Sequence, residues 1–287
     1  MSSHPEESIA VPPTGGLRVG VVAFLNMLPL VAGAERLAPG RLEIVPAPPS
    51  RLAQWLAEGR VDLAMAPVAA LFEHPEWRIV GRSMIGADGD VLSVLVVGRE
   101  PRERWSALRP DGQSRTSNVL ARLVLERRLG LRLPLGEPLP RDVDWEPPAD
   151  PRPGEAFVLI GDRALRWGNR WSTDAGGDRL DLGAHWKAWT GLPMVFAVWC
   201  ARPGVVAGPW IEALEQLKEL NRARLAELAA AWRRSGGDFL SPAEAENYLR
   251  QNLRFNLDAE ALEGLRRFYA EGRSAGLFAD GWVLRRL

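Results

Sequence analysis

Apolar residues fall along this chain in short blocks separated by turn-forming residues, and the spacing inside each block predicts its element. Leu17-Arg18-Val19-Gly20-Val21-Val22 follows Gly15-Gly16 and reads as a first strand, and Leu42-Glu43-Ile44-Val45 as a second. Between them, Leu28 to Leu37 suits a short helix opened by Pro29, whose fixed φ fits a first helical turn. Ser50 is placed to cap a helix over 51–59, with Leu52, Trp55 and Leu56 on one face and Gly59 at its end. The near-continuous apolar run Val61-Asp62-Leu63-Ala64-Met65-Ala66 then suits a strand covered on both faces. That β-α-β-α-β order predicts a parallel sheet with right-handed crossovers.

After the turn Ala87-Asp88-Gly89-Asp90, residues 91–97 give the strongest strand signal of the first third, expected to carry the chain out of a first lobe. An amphipathic helix over 117–129 follows, with Val119, Leu120, Leu123 and Val124 apolar, and then a Pro-rich connection over 134–153. Residues 156–162 read as a buried strand running into a short helix. Residues 193–199 read as another strand, with helices expected over 207–234, 242–252 and 258–272. Two strands of crossover character bracket the middle segment. The economical topology is a discontinuous lobe of residues 17–97 plus 194–287 with a second lobe, 98–193, inserted, and a ligand cleft at strand ends and helix N-termini between them. Residues 1–16, rich in Pro, Ser, Gly and Glu, read as a flexible tail.

Composition narrows the function classes. The chain has 287 residues, 46% hydrophobic and 25% charged, which fits a globular protein of about two domains at ~150 residues each. Thirty-six basic residues balance 36 acidic ones with no basic block, so nucleic acid is not an expected partner. Lys187 and Lys218 are the only lysines, and neither lies in a Gly-rich loop that could cradle phosphate. The single cysteine, Cys200, sits in an apolar run and reads as core; one cysteine excludes an intramolecular disulfide or a Cys-pair zinc site. His4, His74 and His185 are far apart with no metal-ligand spacing, so no metal site is expected, and a Ser-His-Asp set would need His74 or His185 but no G-x-S-x-G elbow occurs. The opening residues lack the basic and apolar regions of a secretory signal, and no apolar stretch approaches ~18 residues. The expectation is a cytoplasmic protein without a membrane partner.

Four places can carry chemistry. Asn26, alone among apolar residues just past the first strand, either caps the helix at Pro29 or reaches a ligand with its amide. Ser93, inside an apolar strand, either bonds neighbouring backbone or faces the cleft. The run Asp111-Gly112-Gln113-Ser114-Arg115-Thr116-Ser117-Asn118 precedes a helix, where hydroxyls and free N–H groups cap it, hold a carboxylate, or do both. Gly161-Asp162 forms a strand-to-helix corner whose carboxylate caps or accepts a proton. Trp186 and Trp189, three apart, read as a buried helix face.

Taken in order, the segments resemble the chorismate dehydratase family of the futalosine route to menaquinone. The resemblance rests on Phe24-Leu25-Asn26 with Pro29-Leu30, Pro49-Ser50-Arg51-Leu52, Asp62 with Ala64 and Pro67, and Asp88-Gly89 with Val91 and Ser93-Val94. It continues through Ser114-Arg115-Thr116-Ser117, Leu159-Ile160-Gly161-Asp162 with Ala164-Leu165, and Asp181-Leu182-Gly183 to Trp189-Thr190-Gly191-Leu192-Pro193 with Phe196-Ala197. It spans about residues 17–202. Phe24 stands where the family commonly has tyrosine, and Gly86-Ala87 where a serine-rich pair is usual. The resemblance implies an α/β, two-lobed, periplasmic-binding-protein-like (type II) fold with a cleft between the lobes. It implies Asn26 and Ser93 as catalytic residues, Ser114, Thr116, Ser117, Gly161 and Asp162 as substrate-binding, and a dicarboxylate substrate, chorismate, losing water without cofactor to give 3-[(1-carboxyvinyl)oxy]benzoate. The competing readings are a non-catalytic binder of a small anion on the same fold and another enzyme of the pathway acting on a nucleoside-linked intermediate. The latter usually carries a Ser-Cys-Pro-Asn-Asp type run after the first strand, which is absent here.

Overall fold

In the computed structural model, residues 9–12, 15–141, 145–148, 151–173 and 176–285 are described. The first three strands, β1 (Leu17–Val21), β2 (Leu42–Pro46) and β3 (Leu63–Pro67), pair in parallel with β1 in the middle, as the alternation of strand and helix predicts. The helices between them are α1 (Leu28–Val31), α2 (Ala34–Leu37) and α3 (Pro49–Ala57). A single helix was expected over 28–37; Gly33, at a left-handed φ of 86°, divides it. Ser50 does not cap α3. Pro49 occupies the first helical turn, so the serine lies inside the helix, with its N–H donating to Gln113 O at 3.0 Å and its hydroxyl to Gly112 O at 3.3 Å. Gly20 in β1 lets α3 come close, because a Cβ there would stand 2.8 Å from Leu52 Cδ2.

After α4 (Val68–Glu73) comes β4 (Arg78–Ala87), a strand the sequence pattern did not mark. The chain then leaves the first sheet. β5 (Val94–Gly98), β6 (Ala107–Arg109), β7 (Glu155–Ile160) and β8 (Asp178–Asp181) form a second sheet in the order β6-β7-β5-β8, accompanied by α5 (Thr116–Leu123), α6 (Gly161–Thr173) and α7 (Leu182–Thr190). β9 (Met194–Ala201) returns between β3 and β4, antiparallel to both. The remaining helices are α8 (Gly208–Ala223), α9 (Leu225–Arg234), α10 (Pro242–Asn247) and α11 (Ala259–Ser274), with β10 (Arg254–Asn256) on the sheet edge, giving β10-β4-β9-β3-β1-β2.

Several boundaries move. The strand expected over 91–97 begins only at Val94, because Leu92 has a φ of 59° that no strand accommodates; by sheet membership the chain therefore crosses over at residues 88–93, before β5. The helix expected over 117–129 is α5 followed by a wider π-helical turn over Val124–Arg128, and the one over 207–234 breaks at Arg224. Of the tail over 1–16, residues 1–8 and 13–14 lie outside the described residues, while Ile9 is buried against the core and so is not loose.

β5 explains why its sequence is apolar throughout. Val94 and Val96 join the main core, which runs through both sheets, whereas Leu95 and Val97 point to a smaller cluster with Leu139, Phe157, Leu159 and Ala164. Cys200 is fully buried on β9, the core position expected of it, and Trp186 is likewise buried with Trp189 edge-on to it. Among the described residues no helix is long and apolar enough to cross a membrane. Since Leu52 is fully buried under Gly20, Leu52→Ala should lower unfolding stability by roughly 2–5 kcal/mol in urea titration, with an unchanged slope.

Candidate active site

A cavity of about 70 Å³ lies where the ends of β1, β3 and β7 meet the crossover before β5 and the start of α5. Its polar wall consists of Asn26, Ser93, Ser114, Thr116 and Ser117, and Gly161 adds backbone; Val22, Phe24, Met65, Ile85 and Phe196 are among the apolar walls. Six of the seven residues singled out from sequence therefore converge, although they come from positions up to 135 residues apart (Asn26 to Gly161). Among the described residues, no Arg, Lys, His, Asp or Glu side chain lines it.

Asn26 sits in the single turn Leu25–Met27 and is 8% exposed. It does not cap the following helix, whose N-cap is Met27 without a side-chain bond. Its partner is Tyr248, at the end of α10. The phenol donates to Ser93 Oγ at 2.8 Å. The Asn26 side chain lies beside the phenol and favours its ionised form, as an amide N–H turned toward it does, and Asn26 Oδ1 is buried with no partner among the described residues. Asn26, Tyr248 and Ser93 thus form one cluster. It leaves Ser93 its own hydrogen to donate, and it leaves Asn26 a bare carbonyl oxygen and a second N–H. Burial holds the phenol well above its ordinary pKa, so it stays a donor. Sequence reasoning missed Tyr248. Its only local signal is scarcity, for it is one of two tyrosines, and its partner lies 155 residues away.

The loop before α5 is held by its own side chains. Asp111 Oδ1 accepts the Gln113 N–H at 2.9 Å, its Oδ2 pairs with the buried Arg163 guanidinium at 3.2 Å, and Asn118 Nδ2 donates to the carbonyls of Asp111 and Ser114. Ser114 Oγ accepts the Ser117 N–H at 3.1 Å, a bond made from just outside α5, whose N-cap is Arg115 without a side-chain bond. Thr116 ties segments together, since its hydroxyl accepts from Ala69 N–H at 3.2 Å and donates to Phe196 O at 3.1 Å. With its one hydrogen spent, Thr116 has none to offer an anion. Ser117 is on the cavity wall, and the starts of α5 and α6 both face the space, bringing the positive ends of two helices to it.

Gly161 opens α6 at φ 55°, and a Cβ there would stand 2.6 Å from the Phe24 ring, so the glycine is what lets that ring close over the corner. The Asp162 carboxylate is not part of the cavity wall. Although the residue is part-exposed, its carboxylate turns inward and accepts the Leu25 N–H at 2.9 Å, holding the Asn26 turn from across the cleft. Desolvation raises its pKa to about 6, against the lowering effect of that N–H and of Arg166. Among the described residues no group of three or more His, Cys, Asp or Glu is placed to hold a metal.

Two measurements check these assignments. Thr116→Val leaves a buried N–H and a buried carbonyl without partners and should cost about 1–3 kcal/mol of stability by chemical denaturation. A carboxyl raised from its usual value near 3.8 to about 6 binds its proton more tightly in the folded state, so its ionisation weakens the fold as pH rises through about 4 to 6, and fully above that. The stability of the wild type relative to Asp162→Asn should accordingly fall between pH 4.5 and 7; a flat difference would refute the burial of the carboxylate.

A family model described as menaquinone biosynthesis matches residues 17–274. A solved protein from Archaeoglobus fulgidus is similar over 93% of this chain and 100% of its own, with 16% identity and a TM-score of 0.67. The alkanesulfonate-binding protein SsuA from Xanthomonas axonopodis pv. citri, bound to MOPS, is similar over 94% of this chain and 96% of its own, with 15% identity and a TM-score of 0.62. A Candida albicans gene product, described as exhibiting the generic periplasmic binding protein fold, is similar over 93% and 92% at 13% identity, with a TM-score of 0.56. At these identities the likeness is one of fold: the α/β, periplasmic-binding-protein-like architecture expected from the sequence is the one present.

Proposed function

The chain belongs to the menaquinone biosynthesis family, and from that premise we propose that it is a cytoplasmic chorismate dehydratase, converting chorismate to 3-[(1-carboxyvinyl)oxy]benzoate and water. The observation that carries this reading is the cavity wall, which among the described residues offers hydroxyls, one amide and two helix starts but no Arg, Lys, His, Asp or Glu side chain. Such a wall suits a small anion whose own groups move the proton. It suits carboxylates through the Ser117 hydroxyl and the positive ends of α5 and α6, and its bare Asn26 Oδ1 asks for a hydroxyl on the ligand. Chorismate brings two carboxylates and one hydroxyl.

In the proposed reaction the enolpyruvyl carboxylate, oriented by the free Asn26 N–H, takes the adjacent ring proton. The C–H electron pair passes into the ring as a dienolate of the ring carboxylate. The neighbouring C–O bond then breaks; the departing hydroxyl, hydrogen-bonded by Ser93, leaves with the abstracted proton as water, and the ring becomes aromatic. Positioning of this kind is worth about 7–11 kcal/mol of barrier. Asp162 supports the step by fixing the Asn26 turn, not by taking the proton.

Purified protein incubated with chorismate should release the enolpyruvyl benzoate without added metal, nucleotide or flavin. Asn26→Ala and Ser93→Ala should each lower kcat roughly 10²–10³-fold, the scale of one preorganised donor. Ser117→Ala should weaken binding about 10- to 150-fold. Asp162→Asn should cost far less than either catalytic change. Turnover abolished in a folded Asp162→Asn that still binds, with Asn26→Ala active, would make Asp162 the base. Loss of activity on chelation with return on zinc would defeat the cofactor-free scheme. The fold's likeness to binding proteins favours one second reading, a non-catalytic anion binder, and saturable binding with no turnover would establish it.

A further inference from the structure

Ser93 stands at the end of a turn that does not hold its own shape. Leu92, just before it, is the one non-glycine residue with a left-handed backbone among the described residues, at φ 59°. A leucine persists there only when its surroundings impose the conformation. Asp181, the last residue of β8, imposes it. Val91 N–H lies 3.1 Å from both carboxylate oxygens, and Leu92 N–H donates to Oδ2 at 2.8 Å. Oδ1 also accepts the Ala184 N–H at 3.1 Å and so caps α7. Capping needs only that last bond. The other two reach a segment some ninety residues earlier.

The neighbouring contacts agree. A Cβ on Gly183 would stand 2.4 Å from the Gly89 carbonyl oxygen and 3.1 Å from Val91 Cβ, so the first turn of α7 presses directly on the turn that Asp181 grips. On the far side the Gly161 N–H donates to Ser93 O at 2.8 Å. The Ser93 peptide is thus clamped between α7 and α6, and its side chain is delivered to Tyr248. The facing charges are few: Arg179 Nη2 is 3.8 Å from Oδ2, and Asp90 adds repulsion.

We infer that Asp181 is a positioning residue that fixes the left-handed turn at Leu92 and thereby aims the Ser93 hydroxyl at the ligand. The inference rests on the dehydratase reading for its kinetic consequence but not for its structural one. Asp181→Asn is the incisive variant, because asparagine caps helices as well as aspartate does and α7 keeps its start. Its amide nitrogen, however, opposes one of the turn's N–H groups. Asp181→Ser, also a good cap but too short to reach both turn amides, serves as the second variant.

Two readouts are needed. In amide exchange followed by mass spectrometry, peptides covering 88–95 should exchange at least about tenfold faster in either variant, while peptides from β3 and β9 do not change. With chorismate, kcat should fall about 10²-fold, the scale of a 1 Å misplacement, while KM stays within about threefold. Adding Leu92→Gly to Asp181→Asn should restore about tenfold of the loss, since glycine adopts the left-handed turn without help. Unchanged exchange over 88–95 overturns the inference whatever the substrate. Unchanged kcat, or a loss that Leu92→Gly does not relieve, overturns it as well. If the wild type fails to turn over chorismate, the dehydratase reading falls, and the exchange result alone decides whether Asp181 holds the turn.

Discussion

The hydrogen bond from Tyr248 to Ser93, 2.8 Å long and buried, sets the polarity of everything around it. A hydroxyl can donate once. When the phenol spends its hydrogen on Ser93, its oxygen is left able only to accept, and the Asn26 amide lies beside it. Ser93 then has its hydrogen left over, and Asn26 has its oxygen left over. A donor and an acceptor are thereby presented to the cavity by a group that does not itself touch a ligand. The same bond ties a C-terminal helix to the crossover between the two sheets, and Asn252, whose side-chain N–H donates to Asp90 O at 3.0 Å, joins the same two segments.

Basic residues are common in this chain, yet those near the cavity are committed elsewhere. Arg163 neutralises Asp111 beneath the loop before α5, and Arg166 pairs with Asp238. Negative charge in the cavity is left to helix starts and hydroxyls, which are weaker per contact than a guanidinium but fixed in direction by the backbone. For the proposed dehydration, a wall of that kind stabilises charge spread over a ring, where a tightly bound cation would hold it at one end.

Much of the fold was legible from residue spacing. The parallel start at β1 to β3, the fully buried β3 and the buried Cys200 follow from apolar period and length, because those are decided by local pattern and burial. β4 was not, since Arg78, Gly81, Arg82 and Ser83 interrupt its apolar rhythm. The candidate site was legible as a set of positions but not as roles. Thr116 and Ser117 are adjacent and alike in sequence. Only the packing of α5 against Ala69 and Phe196 spends the Thr116 hydroxyl on a tie between segments, although both residues line the cavity. Asp162 at a strand-to-helix corner reads as a cap for its own helix, and it proves to hold a turn 137 residues away. Such roles depend on contacts between distant segments, which no local pattern encodes.

Cys200 has a use that its burial creates. The thiol lies at the centre of the first sheet, fully covered, and burial pushes its pKa far up, so it presents almost no thiolate to reagents while the sheet is intact. An alkylating agent therefore reacts only through openings that uncover the thiol's face of the first sheet. The rate of thiol modification becomes a clock for disruption of one sheet in a two-sheet protein, read from the only sulfhydryl in the chain and needing no engineered label.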